Sequence, residues 1–252
     1  MDQTQAIVLA AGQGTRMNHP ELPKVLVPLG GRPLISYALD TLSEIGINRP
    51  VIVIKYQSEL VRRTLGDRRY AEQDERVGTA AAVQAAESEL GRQDGLVYIA
   101  NGDHPFFSPA TYASLADQLT DEATVLALAT GQVHSIEERY GRIVRSSDSS
   151  VERIVEYKDA TDEERRLTEY NAGLYLVRSP WLWSALGRIE PSGVTGEYYL
   201  TDIVALAIAD GYRVAAVGVH QPSEAQGVNT PEELLVAERI LKERAQSVLI
   251  SS

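Results

Sequence analysis

The sequence predicts a three-layer α/β/α sandwich around a mostly parallel, doubly wound sheet. Two observations carry this. Short apolar, mostly β-branched runs recur without polar alternation, at Ala6-Ile7-Val8-Leu9, Val51-Ile52-Val53-Ile54 and Leu96-Val97-Tyr98-Ile99-Ala100. Strands apolar on both faces belong to a parallel sheet covered by helices. Between them lie stretches with helical spacing, which gives strand, helix, strand, helix in order. A chain of 252 residues with 44% apolar content is long enough for one large α/β domain.

The first strand runs into Ala10-Ala11-Gly12-Gln13-Gly14-Thr15-Arg16-Met17, closed by Pro23-Lys24-Val25-Leu26. Gly12 and Gly14 lack a Cβ and can take angles closed to other residues. Their amides can then turn to one point and cradle a phosphate. Arg16 adds a planar, permanently charged fork, and Lys24 a compact point charge. The Walker pattern is excluded, because Thr15-Arg16 stands where its Lys-Ser or Lys-Thr belongs. The dinucleotide fingerprint is excluded too, because Met17 stands at its third glycine. A glycine pair alone also fits a tight surface loop; with Arg16, Pro23 and Lys24 it points to a polyphosphate.

Val25-Leu26-Val27 reads as a short extended piece stopped by Pro28 and Gly30-Gly31. Pro33 then suits the first turn of a helix whose apolar face is Leu34, Ile35, Ala38, Leu39, Leu42 and Ile45, ending at Gly46. After the strand at Val51, Ser58 to Leu65 reads as a short helix. The alanine-rich run Ala80 to Ala86 is helical and begins just after Gly78-Thr79. Amides there suit an anion or a polar base edge, or Thr79 is simply the helix cap. The strand from Leu96 ends at Asn101-Gly102-Asp103, on the usual ligand edge of an open α/β sheet. A carboxylate there can hold Mg²⁺, or it can be an ordinary turn aspartate.

Ser108 to Leu119 is read as a helix and Thr124 to Leu128 as a strand. Residues 140–144 and 151–156 then alternate around the polar turn Ser146 to Ser150, a hairpin that places a small β insertion at about 140–157. Glu163 to Arg166 is a solvated helix face, and Tyr170-Asn171-Ala172-Gly173 leads into the strand Leu174 to Val177. Ile203 to Ala209 is a helix with Thr201 or Asp202 as its cap, and Val214 to Val217 is the last strand. Thr230-Pro231-Glu232-Glu233 is a capping box that opens a C-terminal amphipathic helix from about 230. Asn229 sits just before it, in a position that also suits a plain turn.

Composition excludes several classes. The chain carries 35 acidic and 24 basic residues, net −11, which disfavours nucleic acid or an anionic membrane as a partner. A phosphate site must therefore be built from local cations. There is no cysteine, hence no disulfide framework and no thiolate chemistry. No apolar stretch approaches the roughly 20 residues of a membrane span. The first residues carry neither a basic region nor an apolar run, so a cytoplasmic location is expected. The four histidines, at 19, 104, 134 and 220, show no ligand spacing.

The opening stretch resembles the signature of sugar-nucleotide pyrophosphorylases, Ala-Gly-x-Gly-Thr-Arg-Met followed by Pro-Lys; alditol-phosphate cytidylyltransferases open similarly. Further along, Tyr140-Gly141-Arg142-Ile143, Ile154-Val155-Glu156-Tyr157-Lys158-Asp159-Ala160-Thr161, Asn171-Ala172-Gly173 and Gly196-Glu197-Tyr198-Tyr199-Leu200-Thr201-Asp202 look like the sugar half of bacterial UDP-N-acetylglucosamine pyrophosphorylases. The order holds from Leu9 to Asn229. The resemblance implies a Rossmann-like fold of the nucleotide-diphospho-sugar transferase type, a single nucleotidyltransferase domain over 1–252. It implies catalytic Arg16 and Lys24, and nucleotide contacts at Leu9, Ala11, Gly12, Gly14, Thr15, Gln73, Gly78 and Thr79. It implies a sugar pocket of Gly141, Glu156, Asn171 and Tyr199, the ring of Tyr199 giving an apolar wall. It also implies Mg²⁺ on Asp103 and Asn229.

The implied reaction joins an NTP to a sugar 1-phosphate with release of pyrophosphate, UTP and N-acetylglucosamine 1-phosphate being the best pair. Two departures touch selectivity: Ala80-Ala81-Ala82 replaces Gly-His-Ala, and Ser192-Gly193-Val194-Thr195 replaces a segment ending Asn-Ala-Gln. Another base or sugar, or a non-catalytic sugar-nucleotide binder, stay open as alternatives. Bifunctional members continue into hexapeptide repeats that acetylate the amino sugar. No such repeats occur in these 252 residues, so acetyl transfer is not expected of them.

Overall fold

The structure is a computed structural model and describes residues 4–17, 19, 21–133 and 138–251. His134 and the start at Met1, on which two of the expectations above rest, lie outside the described residues. The strands are β1 (Thr4–Leu9), β2 (Pro28–Leu29), β3 (Arg32–Pro33), β4 (Val51–Ile54), β5 (Arg69–Glu72), β6 (Leu96–Asn101), β7 (Thr124–Gln132), β8 (Arg142–Arg145), β9 (Val151–Val155), β10 (Glu169–Arg178) and β11 (Arg213–Gly218). The helices are α1 (Ile35–Glu44), α2 (Ser58–Leu65), α3 (Thr79–Ala85), α4 (Glu87–Leu90), α5 (Pro109–Ala116), α6 (Asp162–Arg165), α7 (Ser179–Leu186), α8 (Ile203–Ala209) and α9 (Pro231–Ser251).

The main sheet runs β11-β7-β10-β6-β1-β4-β5. β1 is parallel to β4 and β6, β4 to β5, and β7 to β11. β10 alone is antiparallel to its neighbours β6 and β7. The strands expected from apolar runs are therefore the central ones, and Val51, Ile52, Val53 and Ile54 are all fully buried. One face is covered by α1, α2 and α5 through Ile35, Leu39, Leu42, Val61 and Tyr112. The other is covered by α3, α7 and α8 through Val83, Trp183, Ile203 and Val204. The hairpin β8–β9 joins the sheet through Arg142, whose Cα partner on β10 is Tyr170.

Two local readings are corrected. Lys24–Leu26 is a single 3₁₀ turn, not an extended piece. Pro23, at φ −55°, starts it; the Leu26 amide donates to the Pro23 carbonyl at 2.8 Å, and the Val27 amide to that of Lys24 at 3.1 Å. Pro33 lies in the two-stranded β2–β3 ribbon, ahead of the helix and not in its first turn. β5 and α7 carry no legible signal. β5 is a polar edge strand with one neighbour, and α7 follows β10 with no turn between them.

Glu224 fixes the approach to the sheet's ligand edge. It is fully buried in the turn Pro222–Ala225. Its Oε2 accepts from the Ser108 amide (3.0 Å), the Ser108 hydroxyl (2.9 Å) and the Thr111 hydroxyl (2.5 Å), and its Oε1 from the Gln221 amide (3.1 Å). One carboxylate thus ties the start of α5 to the segment leading to Asn229. Removing it strands buried donors, each costing about 1–3 kcal/mol. Glu224→Ala is expected to lower unfolding stability by about 2–4 kcal/mol in a urea titration; a loss under about 0.5 kcal/mol would refute this role.

Candidate active site

The C-terminal ends of β4, β1 and β6 open into a cleft of about 1240 Å³. Because β10 runs the other way, it brings its first half, including Asn171 and Gly173, to the same edge. Leu9, Ala11, Gly12, Arg16, Lys24, Gln73, Gly78, Thr79, Asp103, Gly141, Glu156, Asn171 and Asn229 all line it. Gly14, Thr15 and Tyr199 do not.

Gly14 acts from behind the lining. Its φ is +68°, and a Cβ there would lie 2.5 Å from Lys24 Cβ, so its bare Cα lets the Lys24 turn pack beneath the loop. Gly12 needs no such freedom: its φ is ordinary, and a Cβ there would meet nothing within 4 Å. Thr15 is exposed at the start of the 3₁₀ turn Thr15–Met17.

The Lys24 ammonium donates to the Asp103 carboxylate and, at 2.8 Å, to Asn229 Oδ1. Arg16 donates to the same Asn229 oxygen at 3.2 Å. Asn229 is itself held, since Glu233 Oε2 accepts from its amide at 2.5 Å and from the Thr230 amide at 3.2 Å. The capping box expected at Thr230 is present, with the Glu233 amide donating to the Thr230 hydroxyl. The Val228 amide donates to the Asp103 carbonyl at 2.9 Å, which docks this segment on the end of β6.

Asp103 is buried, which by itself would raise its pKa; the Lys24 charge, the neighbouring His104 and their hydrogen bonds outweigh that. The carboxyl is held well below the usual range and is ionised. His104 Nδ1 meets Asp103 Oδ1 at 2.9 Å, and its ring stacks on Phe107 with centroids 5.9 Å apart. A side chain at Gly227 would strike that ring. Asn101 has its place explained too: its amide nitrogen fills the space that a Cβ at Gly173 would need.

Asp103 and Asn229 offer oxygens that converge on the Lys24 ammonium, which is the cation between them in this structure. Among the described residues no group of three or more His, Cys, Asp or Glu could cage a metal. One carboxylate and one amide suit an ion such as Mg²⁺, which keeps several waters and completes its shell on substrate phosphates.

At the other lip, Gln73 Nε2 donates to the Arg76 carbonyl at 2.8 Å and the Gly78 carbonyl at 3.2 Å, so it shapes the 73–78 loop. Lys55 braces the same loop through the carbonyls of Asp74 and Arg76. Gly78 has φ +120°, and a Cβ there would collide with the Tyr198 backbone. Thr79 is not the helix cap. Gly78 occupies that position, and the Thr79 hydroxyl accepts from the Leu200 amide at 2.9 Å. The Ala80 amide, at the helix start that also suited an anion or a base edge, is taken by the Tyr198 carbonyl at 2.9 Å.

The third wall holds Gly141, Glu156 and Asn171. The Asn171 amide donates to the Gly141 carbonyl at 2.9 Å, and its side chain donates to the Tyr175 hydroxyl at 2.5 Å. Thr201, considered as a helix cap, instead donates its hydroxyl to Glu156 Oε1 at 2.9 Å. Burial pushes the Glu156 carboxyl up; the Thr201 hydroxyl opposes this, and Asp202, Asp159 and Glu197 add to it. Tyr199 is turned inward, with its hydroxyl 2.7 Å from that of Thr195, and the apolar wall expected from it falls to Leu200.

Sequence reading missed Lys55-Tyr56-Gln57, Arg139-Tyr140 and Glu197 as lining residues. The first three directly follow β4, so their position after a parallel strand was the available signal. Gln57 is left-handed, at φ 48°, a conformation non-glycine residues seldom adopt.

A doubly wound sheet with a glycine turn, two cations and an Asp103–Lys24–Asn229 cluster gathered at its strand ends defines a Rossmann-like α/β domain. More narrowly, the chain belongs to the MobA-like NTP transferase domain family, whose model matches residues 6–196. It is similar to the bifunctional protein GlmU of Anaeromyxobacter sp. (strain Fw109-5), 43% identical over 98% of this chain and 51% of that protein. The GlmU of Exiguobacterium sibiricum is 38% identical over 95% of this chain and 53% of that protein. The chain thus spans about half the length of these relatives. A solved structure of UDP-glucose pyrophosphorylase complexed with UDP-glucose matches with a TM-score of 0.78, over 97% of this chain and 100% of that one. At 19% identity that match shows the shared fold.

The raised Glu156 carboxyl makes a stability prediction. Below its unfolded value, about 4.3, both states hold the proton and nothing is lost. As pH rises through the higher folded value, ionisation costs stability, and the cost persists above it. Glu156→Gln is therefore expected to raise Tm at pH 7.5 and to leave it unchanged near pH 3.5. Calorimetry at both values checks this; a lower Tm at pH 7.5 would show that the charge is stabilising.

Proposed function

We infer that this chain, acting as one nucleotidyltransferase domain, joins an NTP to a sugar 1-phosphate and releases pyrophosphate. The observation that carries this is the meeting of Lys24, Asp103 and Asn229 beside the glycine turn. The similarity to GlmU proteins makes UTP and N-acetylglucosamine 1-phosphate the leading pair. A phosphate oxygen of the sugar phosphate attacks the α-phosphorus in line. It is largely ionised at neutral pH, so no protein base is required, and catalysis consists of alignment and charge neutralisation.

Arg16 holds the departing pyrophosphate, and Lys24 neutralises charge at the α-phosphate. Gln73 and Gly78 present the edge that meets the base. Glu156, Asn171 and the Gly141 backbone meet the sugar hydroxyls and the amide of the N-acetyl group. Mg²⁺, held by Asp103 and Asn229 when bound, supplies charge neutralisation for the triphosphate. Among the described residues no helix is long and apolar enough to cross a membrane.

Pyrophosphate release from a panel of NTPs and sugar 1-phosphates tests the reading, and no release from any pair would end it. Asp103→Ala is expected to abolish Mg²⁺-dependent turnover. Arg16→Ala and Lys24→Ala are each expected to lower kcat/KM by more than tenfold, above about 1.4 kcal/mol. Wild-type-like Mg²⁺ titrations would remove Asp103 from the site.

Acceptor choice is a separate test. A site whose polar group is placed for the N-acetyl amide leaves that group unpaired when glucose 1-phosphate binds, which costs more than the roughly 1–3 kcal/mol of a missing methyl. The N-acetylated acceptor is expected to lead by at least about tenfold in kcat/KM with UTP. Equal values would mean that acceptor selectivity differs from that of the relatives.

A further inference from the structure

Arg142 is buried with no measurable exposure, alongside Trp183 and Tyr112 among the largest fully buried side chains. A guanidinium does not give up its charge in a protein, so its burial must be compensated by well-placed acceptors. Among the described residues it donates to two main-chain carbonyls. It donates to the Tyr140 carbonyl at 2.7 Å and to the Glu138 carbonyl at 2.7 Å. Its Nε has no hydrogen-bond partner among the described residues. Its guanidinium carbon lies 5.7 Å from the centre of the Tyr157 ring, which Arg165 approaches to 5.0 Å.

These contacts sit behind one end of the cleft. Residues 138–141 all line it, and Tyr140 stacks on Tyr170 at 4.5 Å. Arg142 is paired with both Val155 of β9 and Tyr170 of β10, at the junction of the hairpin and the sheet. One residue beyond Val155 is Glu156, and one beyond Tyr170 is Asn171, whose amide donates to the Gly141 carbonyl. Arg142 therefore touches the loop before Gly141 and the ring after Glu156 without itself reaching the cleft.

We propose that Arg142 is a positioning residue for the acceptor: its buried guanidinium clamps the 138–141 backbone against the hairpin and so sets the spacing of Gly141, Glu156 and Asn171. A hydrophobic side chain of similar volume would fill the space but leave both carbonyls unclamped. Because such a change leaves both carbonyls without this donor, it lowers stability as well, and Tm is therefore read beside KM to separate clamping from mere filling. A lysine keeps the charge but offers a point donor that cannot span both carbonyls.

This rests on the function inferred above, so the test has one arm that needs no substrate. Arg142→Met and Arg142→Lys are compared with wild type by KM for the sugar 1-phosphate and for the NTP, by Tm, and by amide exchange at Asn171. Expected in at least one variant that remains folded is a rise of about tenfold or more in acceptor KM, with NTP KM within about threefold. Asn171 amide exchange should speed up in the same variant, while Ile7 and Val8 in β1 stay protected. Unchanged acceptor KM and unchanged Asn171 exchange in both variants would overturn the proposal. So would a collapse of Tm with both KM values rising together, which would make Arg142 a core prop. If wild type turns over no sugar phosphate while Asn171 exchange still accelerates, the inferred reaction fails and the clamp stands.

Discussion

The cleft depends on one ammonium group held between two oxygens from distant parts of the chain. Lys24 lies 79 residues from Asp103 and 205 from Asn229, yet donates to both. Each partner is delivered by a different rigid device. Asp103 is set by β6, which pairs in parallel with β1 so that Asn101 faces Leu9, and by the Gly102 amide donating to the Leu9 carbonyl at 2.9 Å. Asn229 is set by the capping box at the start of α9 and by the Val228 amide on Asp103. Lys24 is set by a proline-started turn that fits only under a glycine at position 14. Misplacement of Lys24 leaves the buried Asp103 carboxylate without its counter-charge, a far larger cost than loss of an exposed ion pair.

Two carboxylates of the cleft, the buried Asp103 and the half-buried Glu156, show how far environment decides character. Asp103 and Glu156 are both desolvated, and that alone would raise both. Beside Asp103 stand Lys24 and His104, so it stays ionised. Around Glu156 stand Asp202, Asp159 and Glu197, relieved by the Thr201 hydroxyl, so its charge is costly. A cation-seeking anion and an anion under strain are therefore built on neighbouring parts of one sheet edge. The second is tolerable because hydroxyl donors of a ligand can supply what burial removes.

What could be read from the sequence follows the same divide between local and long-range causes. Strands β1, β4 and β6 were legible because a buried parallel strand must be apolar on both faces. The α9 cap was legible because Thr230, Pro231 and Glu233 act within one turn. Lys24 was recognisable as a phosphate cation, but its turn was not, because the space beneath Gly14 is a tertiary fact. Thr79 and Thr201 both read as helix caps, the commonest local use of threonine. Their hydroxyls in fact bond Leu200 and Glu156, across 121 and 45 residues. Tyr199 carries the motif, yet its ring faces Thr195; one step along a chain changes which side chain meets the cleft. Glu224 and Arg142 were invisible for the same reason, since a buried charge is recognisable only once its acceptors or donors are placed around it.

Charge is distributed along the cleft so as to sort a ligand end to end. The protein as a whole carries net −11 and repels polyanions. Arg16 and Lys24 stand at one end of the lining, whereas Glu156 and Glu197 stand at the other, backed by Asp159 and Asp202. A phosphate at the acidic end would face Glu156, whose charge burial already makes costly, whereas at the basic end it would meet the exposed Arg16 beside the Lys24–Asp103 pair. A ligand with phosphate at one end and hydroxyls at the other is thus stabilised in one orientation and penalised in the reverse. Such discrimination arises from the repulsive as much as from the attractive element. In a desolvated cleft these terms are strongest, because water no longer screens them. For the reaction proposed above, this division of charge favours the pose with the phosphate towards the glycine turn and the hydroxyls towards the third wall.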